Sequence, residues 1–274
     1  SLYMRGTNSG HTLLLIDGVR MGSATSGGAS WQLLPASEID RIEIVRGPRA
    51  SIYGADAIGG VVQVFTRQGA EGPARFNAHT RIGEFNTREV GAGVRGGTAQ
   101  TSYSLSTSHQ ETDGINIQDD TGDDDRDGYR NTSLSWNLSH RLDKSVELFT
   151  NGLNSEGRTD FDEDQYDGWT YVGPYESAHQ DFVHSAAKAG ARGSVTENWF
   201  SEFAVSHSRD ETDIYYESTF DSRFDTDRTM VDWRNDVTLG ASAQLILGLD
   251  WYEDRITSTT DYDETNRYNR GIYQ

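Results

Sequence analysis

From about residue 75 to the end of the chain, large apolar side chains alternate with small or polar ones. In "TSLSWNLSH" and "QLILGLDWYED", every second position carries leucine or tryptophan, and the positions between them are mostly serine, asparagine or another smaller residue. A period of two places successive side chains on opposite faces of a β-strand. The pattern predicts antiparallel strands with one apolar face, which includes Leu134, Trp136, Leu138, Leu245, Leu247 and Leu249.

The spacing of these strands separates two architectures. The alternating segments are about ten residues or longer, whereas strands of soluble sheets usually have about five or six. Connections of about two residues alternate with long insertions, which lie near 111–127, 157–179, 211–227 and 256–267. Short turns at one end and long loops at the other indicate a transmembrane β-barrel. A soluble β-sandwich, which also alternates, is the competing interpretation.

The first seventy residues follow a different pattern. Short apolar runs in "HTLLLIDGVRMG", "LPASEIDRIEIVRGP" and "GGVVQVFTR" are bounded by glycine, proline or Asp-Gly, which is typical of strand, turn and strand. One helical turn is expected near Pro35. The sequence therefore predicts a mainly β protein with a small α/β module at residues 1–70 and an incomplete antiparallel barrel at 71–274.

Composition narrows the class of protein further. The 274 residues include 43 acidic and 24 basic side chains, so the net charge of −19 argues against a nucleic-acid partner. The chain has no cysteine, which excludes disulfides and thiolate metal sites. No apolar run approaches the length of a transmembrane helix. The chain begins at "SLYMRGTNSG" without an initiator methionine, and we expect it to be a piece of a longer protein.

An enzyme is not expected. The seven histidines are scattered, with no HExxH pair and no recognisable context for a Ser/His/Asp triad.

The acidic residues concentrate in the long insertions. Residues 111–127, 157–179, 211–227 and 253–264 together hold 25 of the 43 carboxylates. In "DDDRDG", Asp123, Asp125 and Asp127 alternate as at the start of an EF-hand loop, but the twelfth position is Leu134, so an EF-hand is rejected. Crowded carboxylates repel one another, and a hard divalent cation relieves that repulsion. A calcium site built from several loops and a solvated acidic rim both remain open.

The stretch "RGPRASIYGADAIGGVVQVFTR", with "MRGTNSGHTLLLIDGVRM" upstream, resembles the plug domain of TonB-dependent outer-membrane receptors. Within that family the likeness is greatest to members that transport cobalamin (vitamin B12). The resemblance implies a plug inside a β-barrel in the outer membrane of a Gram-negative bacterium. It also implies TonB as energy-coupling partner, outer-membrane lipid as surroundings, and a TonB-contacting segment outside this sequence.

The resemblance implies roles for particular residues of the plug. Arg5, Arg46 and Arg49 are expected to face carboxylates on the inner wall of the barrel. The segment "GSATSGGAS" matches the apical loop that contacts substrate, which assigns substrate binding to Ser23, Thr25, Ser26 and Ser30.

The resemblance also implies calcium bound by extracellular loops as a cofactor that orders them around substrate. "DRDGY" carries the ligand role onto Asp125 and Asp127, and Asp113 matches an aspartate at the start of the same loop. In the next loop, "RTDFD" matches at Asp162, and Glu176 is the nearest counterpart of a further ligand.

The function implied by the resemblance is cobalamin uptake, and two alternatives to it remain open. The same scaffold can serve as a receptor for a ferric siderophore or another nutrient, because fold does not fix ligand. A protein of another class, a soluble calcium-binding β adhesin, would differ by not requiring detergent for extraction.

Overall fold

The computed structural model describes residues 2–4, 6–25, 27–47, 53, 57–117, 126–240, 243–259 and 266–273, the last of these ranges as backbone only. The described residues form a four-stranded sheet, a ten-stranded sheet and a separate two-stranded hairpin. Among them, no helix is both long and apolar enough to cross a membrane.

The four-stranded sheet occupies the first part of the chain. Its strands, in the spatial order β2-β1-β4-β3, are β1 (Thr12–Ile16), β2 (Val19–Met21), β3 (Ile39–Arg46) and β4 (Gly60–Thr66). β1 and β4 are parallel, and the other pairs are antiparallel. The described residues also form three 3₁₀ turns, at Ser9–His11, Trp31–Leu33 and Ala36–Glu38. The last of these lies where the sequence predicts a helical turn.

β1 reads as an unbroken apolar run because both of its faces are covered. Leu14 and Ile16 pack in a cluster that includes Leu153 and Ala186 of the large sheet. On the other face, Leu13 and Leu15 pack with residues of the small module alone. A strand buried on both faces loses the alternating pattern. The small sheet is anchored to the large one through its two central strands, β1 and β4, which both contribute to the shared cluster.

The ten-stranded sheet is antiparallel throughout and open, with β5 and β16 at its edges. The remaining strands, including the hairpin strands β10 and β11, are β5 (Gly72–Ile82), β6 (Arg88–Gly97), β7 (Thr101–Thr112), β8 (Tyr129–Arg141), β9 (Val146–Asp160), β10 (Asp164–Asp167), β11 (Thr170–Pro174), β12 (Ala178–Thr196), β13 (Trp199–Tyr216), β14 (Thr219–Leu239), β15 (Ala243–Ser258) and β16 (Asn266–Tyr273). This architecture confirms the mainly β class and the incomplete barrel.

Side chains on the two faces of the large sheet differ as the alternation predicts. One face contacts the small module and carries buried serines, among them Ser106, Ser133 and Ser208. The predicted leucines lie on the opposite face, with exposures between 41% for Leu134 and 53% for Leu247. Trp136 lies on this outer face too, half-buried because its ring covers Gly152 of β9.

The prediction of a long loop at residues 211–227 is wrong. Residues 211–227 continue β13 and β14 to a two-residue turn at Glu217 and Ser218, both with positive φ as a type I′ hairpin requires. The acidic side chains there are compatible with strands because arginines neutralise them across the hairpin. Arg209 pairs with Asp225, and Arg223 pairs with Asp213.

Candidate functional site

The described residues of the predicted substrate loop, 22–25 and 27–30, are joined by hydrogen bonds of their own. The Ser23 amide donates to the carbonyl of Gly28 at 2.9 Å, and the Gly27 amide donates to the carbonyl of Ser23 at 3.0 Å. Gly22 and Gly27 have φ of 128° and 68°, which favour glycine. The loop is therefore a shaped surface made of backbone groups and short hydroxyl side chains.

The predicted substrate residues differ in how they are presented. Thr25 is exposed, whereas Ser23 and Ser30 are half-buried. The Ser23 and Thr25 hydroxyls are hydrogen-bonded to each other at 2.7 Å. Ser26 lies outside the described residues. Thr25 is thus the described side chain of this set most available to a ligand.

The predicted substrate loop is hydrogen-bonded to the ten-stranded sheet, which we call the wall, at one position within the loop and at one position just before it. The Ala24 amide donates to Oγ1 of Thr226 on β14 at 3.2 Å, and Ser208 Oγ donates to the carbonyl of Arg20 at 2.8 Å. These contacts set the position of the loop relative to β13 and β14. Sequence reasoning missed them because partners about two hundred residues apart give no local signal.

A buried ionic and aromatic group supports this part of the wall. Arg228 donates to both carboxylate oxygens of Asp254, at 2.6 and 2.8 Å, and both residues are less than 10% exposed. The ring of Tyr252 lies about equally far from the guanidinium groups of Arg228 (5.9 Å) and Arg20 (6.0 Å). The positive charge of Arg20, next to the predicted substrate loop, is thereby held against the wall.

A second contact between the small module and the wall is built from serines, and we call it the serine seat (Ser37, Glu38, Ser108, Ser133 and Ser135). Ser37 Oγ lies 2.7 Å from Ser108 Oγ, which lies 2.7 Å from Ser133 Oγ. Ser135 Oγ donates to Glu38 Oε2 at 2.6 Å. Glu38 is 1% exposed, so its carboxylate is enclosed between the 3₁₀ turn and the wall.

Arg46, one of the arginines predicted to hold the plug, does not take part in these contacts. Arg46 is exposed on β3 and forms no ion pair with the described part of the chain. β3 is an edge strand, and its Ile42 and Ile44 are also exposed. Arg5 and Arg49 lie outside the described residues. The arginine–carboxylate contact stays a prediction.

The turn between β1 and β2 contains a carboxylate that the sequence did not single out. Asp17 accepts hydrogen bonds from the Thr66 amide at 3.0 Å and the Thr66 hydroxyl at 2.5 Å. Burial raises the pKa of Asp17, although the Thr66 bonds oppose the shift. Asp17 thereby ties the β1–β2 turn to the end of β4.

The predicted calcium ligands occupy varied environments. Asp113 is exposed and accepts from Asn86 Nδ2 at 2.8 Å, whereas Asp127 is buried and accepts from the Ile117 amide at 2.8 Å. Asp162 is half-buried and Glu176 is exposed. Asp125 lies outside the described residues.

The described part of this loop brings its two ends together without assembling a metal site. Gly114, with φ of 69°, packs so closely that a Cβ would overlap the carbonyl oxygen of Asp127. Within the described ranges, no three carboxylate or imidazole groups lie close enough to hold a metal ion. Carboxylate oxygens are suitable calcium donors, but these residues alone do not form a complete set.

Aromatic side chains gather at the same end of the sheet. Tyr175 and Tyr216 stack at 4.5 Å between ring centroids, and His179 stacks on Tyr215 at 4.9 Å. On the β10–β11 hairpin, Trp169 is fully exposed. Sequence reasoning missed this group because its members come from separate segments, although "GWTYVGPY" is rich in aromatic residues.

Comparisons with known proteins define the class. Residues 1–61 match the family model described as TonB-dependent Receptor Plug Domain. Solved structures share the fold over nearly the whole chain. A ferric enterobactin receptor (PfeA) mutant from Pseudomonas aeruginosa has a TM-score of 0.74 at 19% identity, covering 98% of this chain and 47% of that chain. The siderophore receptor PirA from Acinetobacter baumannii has a TM-score of 0.70 at 19% identity, covering 98% and 46%. The plug-domain match, the sequence relatives and the shared fold agree with the class of TonB-dependent receptors that the sequence motifs predict.

Two relatives found by sequence similarity share a description that is narrower than the class of receptor. Vitamin B12 transporter BtuB of Photobacterium profundum is 32% identical over 275 residues, which is 99% of this chain and 44% of that protein. The protein of the same name from Vibrio vulnificus is 29% identical over 282 residues, covering 100% and 44%. The chain thus spans less than half the length of these relatives.

Proposed function

We propose that this protein takes up cobalamin across the outer membrane of a Gram-negative bacterium, with TonB as its energy-coupling partner. The observation that carries the proposal is the similarity to vitamin B12 transporters, which extends through both the plug and the strands of the sheet. The function is binding and transport, with no catalytic step.

The predicted substrate loop suits a large ligand rich in amide groups. Such a ligand offers many hydrogen-bond donors and acceptors, and the loop offers hydroxyls and backbone groups in return. Since the loop is closed by its own bonds and held by Thr226, little conformational entropy is lost when a ligand binds. The aromatic rings of Tyr175 and Tyr216 add apolar contact area at the same end of the sheet.

Calcium is the proposed cofactor. Asp113, Asp125, Asp127, Asp162 and Glu176 are its proposed ligands, and they come from two successive long connections. An ion shared between them would neutralise part of the acidic end of the barrel and hold the two connections together. Calcium would then favour substrate binding by ordering the loops beforehand.

Isothermal titration of the intact, full-length protein with cyanocobalamin tests the proposed substrate. We expect binding of cyanocobalamin and no binding of a ferric catecholate. Thr25→Trp should weaken cobalamin binding by about tenfold, because the indole fills the exposed side of the loop. Thr238→Trp, at an exposed position far along β14 from the loop, is the control and should bind like the wild type.

Other outcomes would contradict the proposal. Binding of the ferric catecholate instead of cobalamin would make the protein a siderophore receptor. Release from cells without detergent would indicate a soluble protein such as a calcium-binding adhesin.

A further inference from the structure

A row of charged side chains crosses the outer face of the large sheet near the ends of β6 to β12. Five residues are successive cross-strand neighbours in this row, namely Arg88, Glu111, Arg130, Arg158 and Asp181. The row contains three arginines, and two of them stand directly opposite each other on β8 and β9.

The two facing arginines, Arg130 and Arg158, differ in their hydrogen-bond and ion-pair partners. Arg158 donates to both carboxylate oxygens of Asp181, at 2.6 and 3.0 Å. Arg88 lies 3.7 Å from Glu111. Arg130 is exposed and has no hydrogen-bond or ion-pair partner within the described part of the chain. Like charges directly opposite each other on neighbouring strands are destabilising, so this position favours an added anion.

The three arginines border one cleft, which we call the arginine cleft (Arg88, Arg130 and Arg158). It has a volume of about 380 Å³ and is also lined by Asn86, Tyr129 and the carboxylates of Glu111, Asp113 and Asp160. Asp113 accepts from Asn86 and lies 3.7 Å from Arg126, so part of its charge is already balanced. The cleft is wide enough for a phosphate group, and guanidinium groups bind phosphate oxygens through paired, charge-assisted hydrogen bonds.

The position of the arginine cleft indicates where the phosphate comes from. Arg130 lies on the same outer face as Leu134 and Leu138, and it is four residues, or about 13 Å, further along β8 than Leu134. In a barrel that spans a membrane, outward side chains just beyond the apolar band meet the lipid headgroups.

We propose that the arginine cleft binds the phosphate of a membrane lipid headgroup, with Arg130 as the principal ligand. This lipid site goes beyond the proposed uptake function, because it faces away from the substrate loop and has a ligand of different chemistry. It would fix the height and rotation of the barrel in the membrane at the end that carries the long loops.

Native mass spectrometry of the intact, full-length protein in neutral detergent tests this site. The probes are diphosphorylated lipid A, the same glycolipid without phosphates, and inorganic phosphate. We expect the wild type to retain the phosphorylated lipid and not the dephosphorylated one. Arg130→Gln should reduce retention by about tenfold, and Arg130→Lys, which keeps the charge but loses the paired donors, should reduce it less.

Arg255→Gln is the matched control, because Arg255 is exposed on the outer face of β15 outside the arginine cleft. It should retain lipid like the wild type. Equal retention by Arg130→Gln and wild type, or equal retention of the two glycolipids, would overturn the proposal. Binding of inorganic phosphate without retention of the lipid would also overturn it, by making soluble phosphate the ligand.

Cobalamin titration of the same preparations separates the two proposals. Unchanged cobalamin affinity in Arg130→Gln would show that the variant is folded and that the defect is confined to lipid binding. A wild type that retains lipid but does not bind cobalamin would contradict the proposed substrate and leave the lipid site standing.

Discussion

Single residues decide how the small module and the wall fit together, and several act through backbone groups that the sequence does not reveal. Ser208 and Ala24 are chemically ordinary in the sequence, yet each makes one bond between the two units. The resemblance pointed to arginines for this role, because charge is visible in a single sequence. Hydroxyl contacts depend on which strands lie opposite each other, which one sequence does not specify.

Asp17 gives a pH-dependent test at this scale. Since burial raises its pKa in the folded state, its contribution to stability is greatest below the unfolded value of about 3.9 and is lost as pH rises through the folded value. Asp17→Asn, which can keep the bonds to Thr66 without the charge, should remove that loss. Thermal unfolding of the full-length protein between about pH 4 and 7 measures it. Asp40→Asn, at an exposed position, is the control, and identical pH profiles for Asp17→Asn and wild type would contradict the assignment.

At the scale of secondary-structure elements, alternation predicted the strands well, but it set the ends of β13 and β14 too early. The leucines of β8 and β15 face outward as expected, because a period of two is a property of one strand alone. Residues 211–227 were predicted as a loop because they lie between two segments of apolar alternation and their charged side chains do not continue it. Arg209 and Arg223 neutralise them only once the register of β13 and β14 is known.

Arg223 tests whether these ion pairs hold the hairpin. Its Nε donates to Asp213 Oδ1 at 2.6 Å, and Glu211 lies 3.5 Å away. Arg223→Gln leaves the carboxylates facing one another, so amide hydrogen exchange across 211–227 should accelerate. Adding Asp213→Asn should partly restore protection, because it removes one of the repelling charges. The effect should shrink in high salt, and unchanged exchange in Arg223→Gln would show that backbone pairing alone suffices.

At the scale of the whole molecule, sequence motifs were sufficient to predict the class of protein. They were not sufficient to predict the proposed lipid site or the serine seat. Motifs such as "RGPRASIYG" are local and retain their meaning without coordinates. The arginine cleft collects side chains from three strands, and its significance depends on Arg130 standing opposite Arg158. Such a juxtaposition follows from the pairing of strands, which is set by the fold.

The calcium proposal concerns the molecule as a whole because its ligands come from separate connections. Titration with cyanocobalamin should show affinity that is higher in calcium than in chelator, by about tenfold. Asp125→Asn combined with Asp127→Asn should abolish the difference, because the ion loses two carboxylate ligands. Asp221→Asn, at an exposed position on the β13–β14 hairpin, should keep it. Equal affinity in calcium and in chelator for the wild type would reduce these aspartates to a solvated rim.

The serine seat determines which surface of the wall would be uncovered if the small module separated from it there. Each hydroxyl that faces Ser37 or Glu38 can exchange its partner for water at little net cost, since the hydrogen bond is replaced and not lost. An apolar interface would instead expose a surface that water wets poorly and that other chains adhere to. At the serine seat, the wall covered by the module is therefore hydrophilic, and a polar solute in contact with it would meet no adhesive apolar surface.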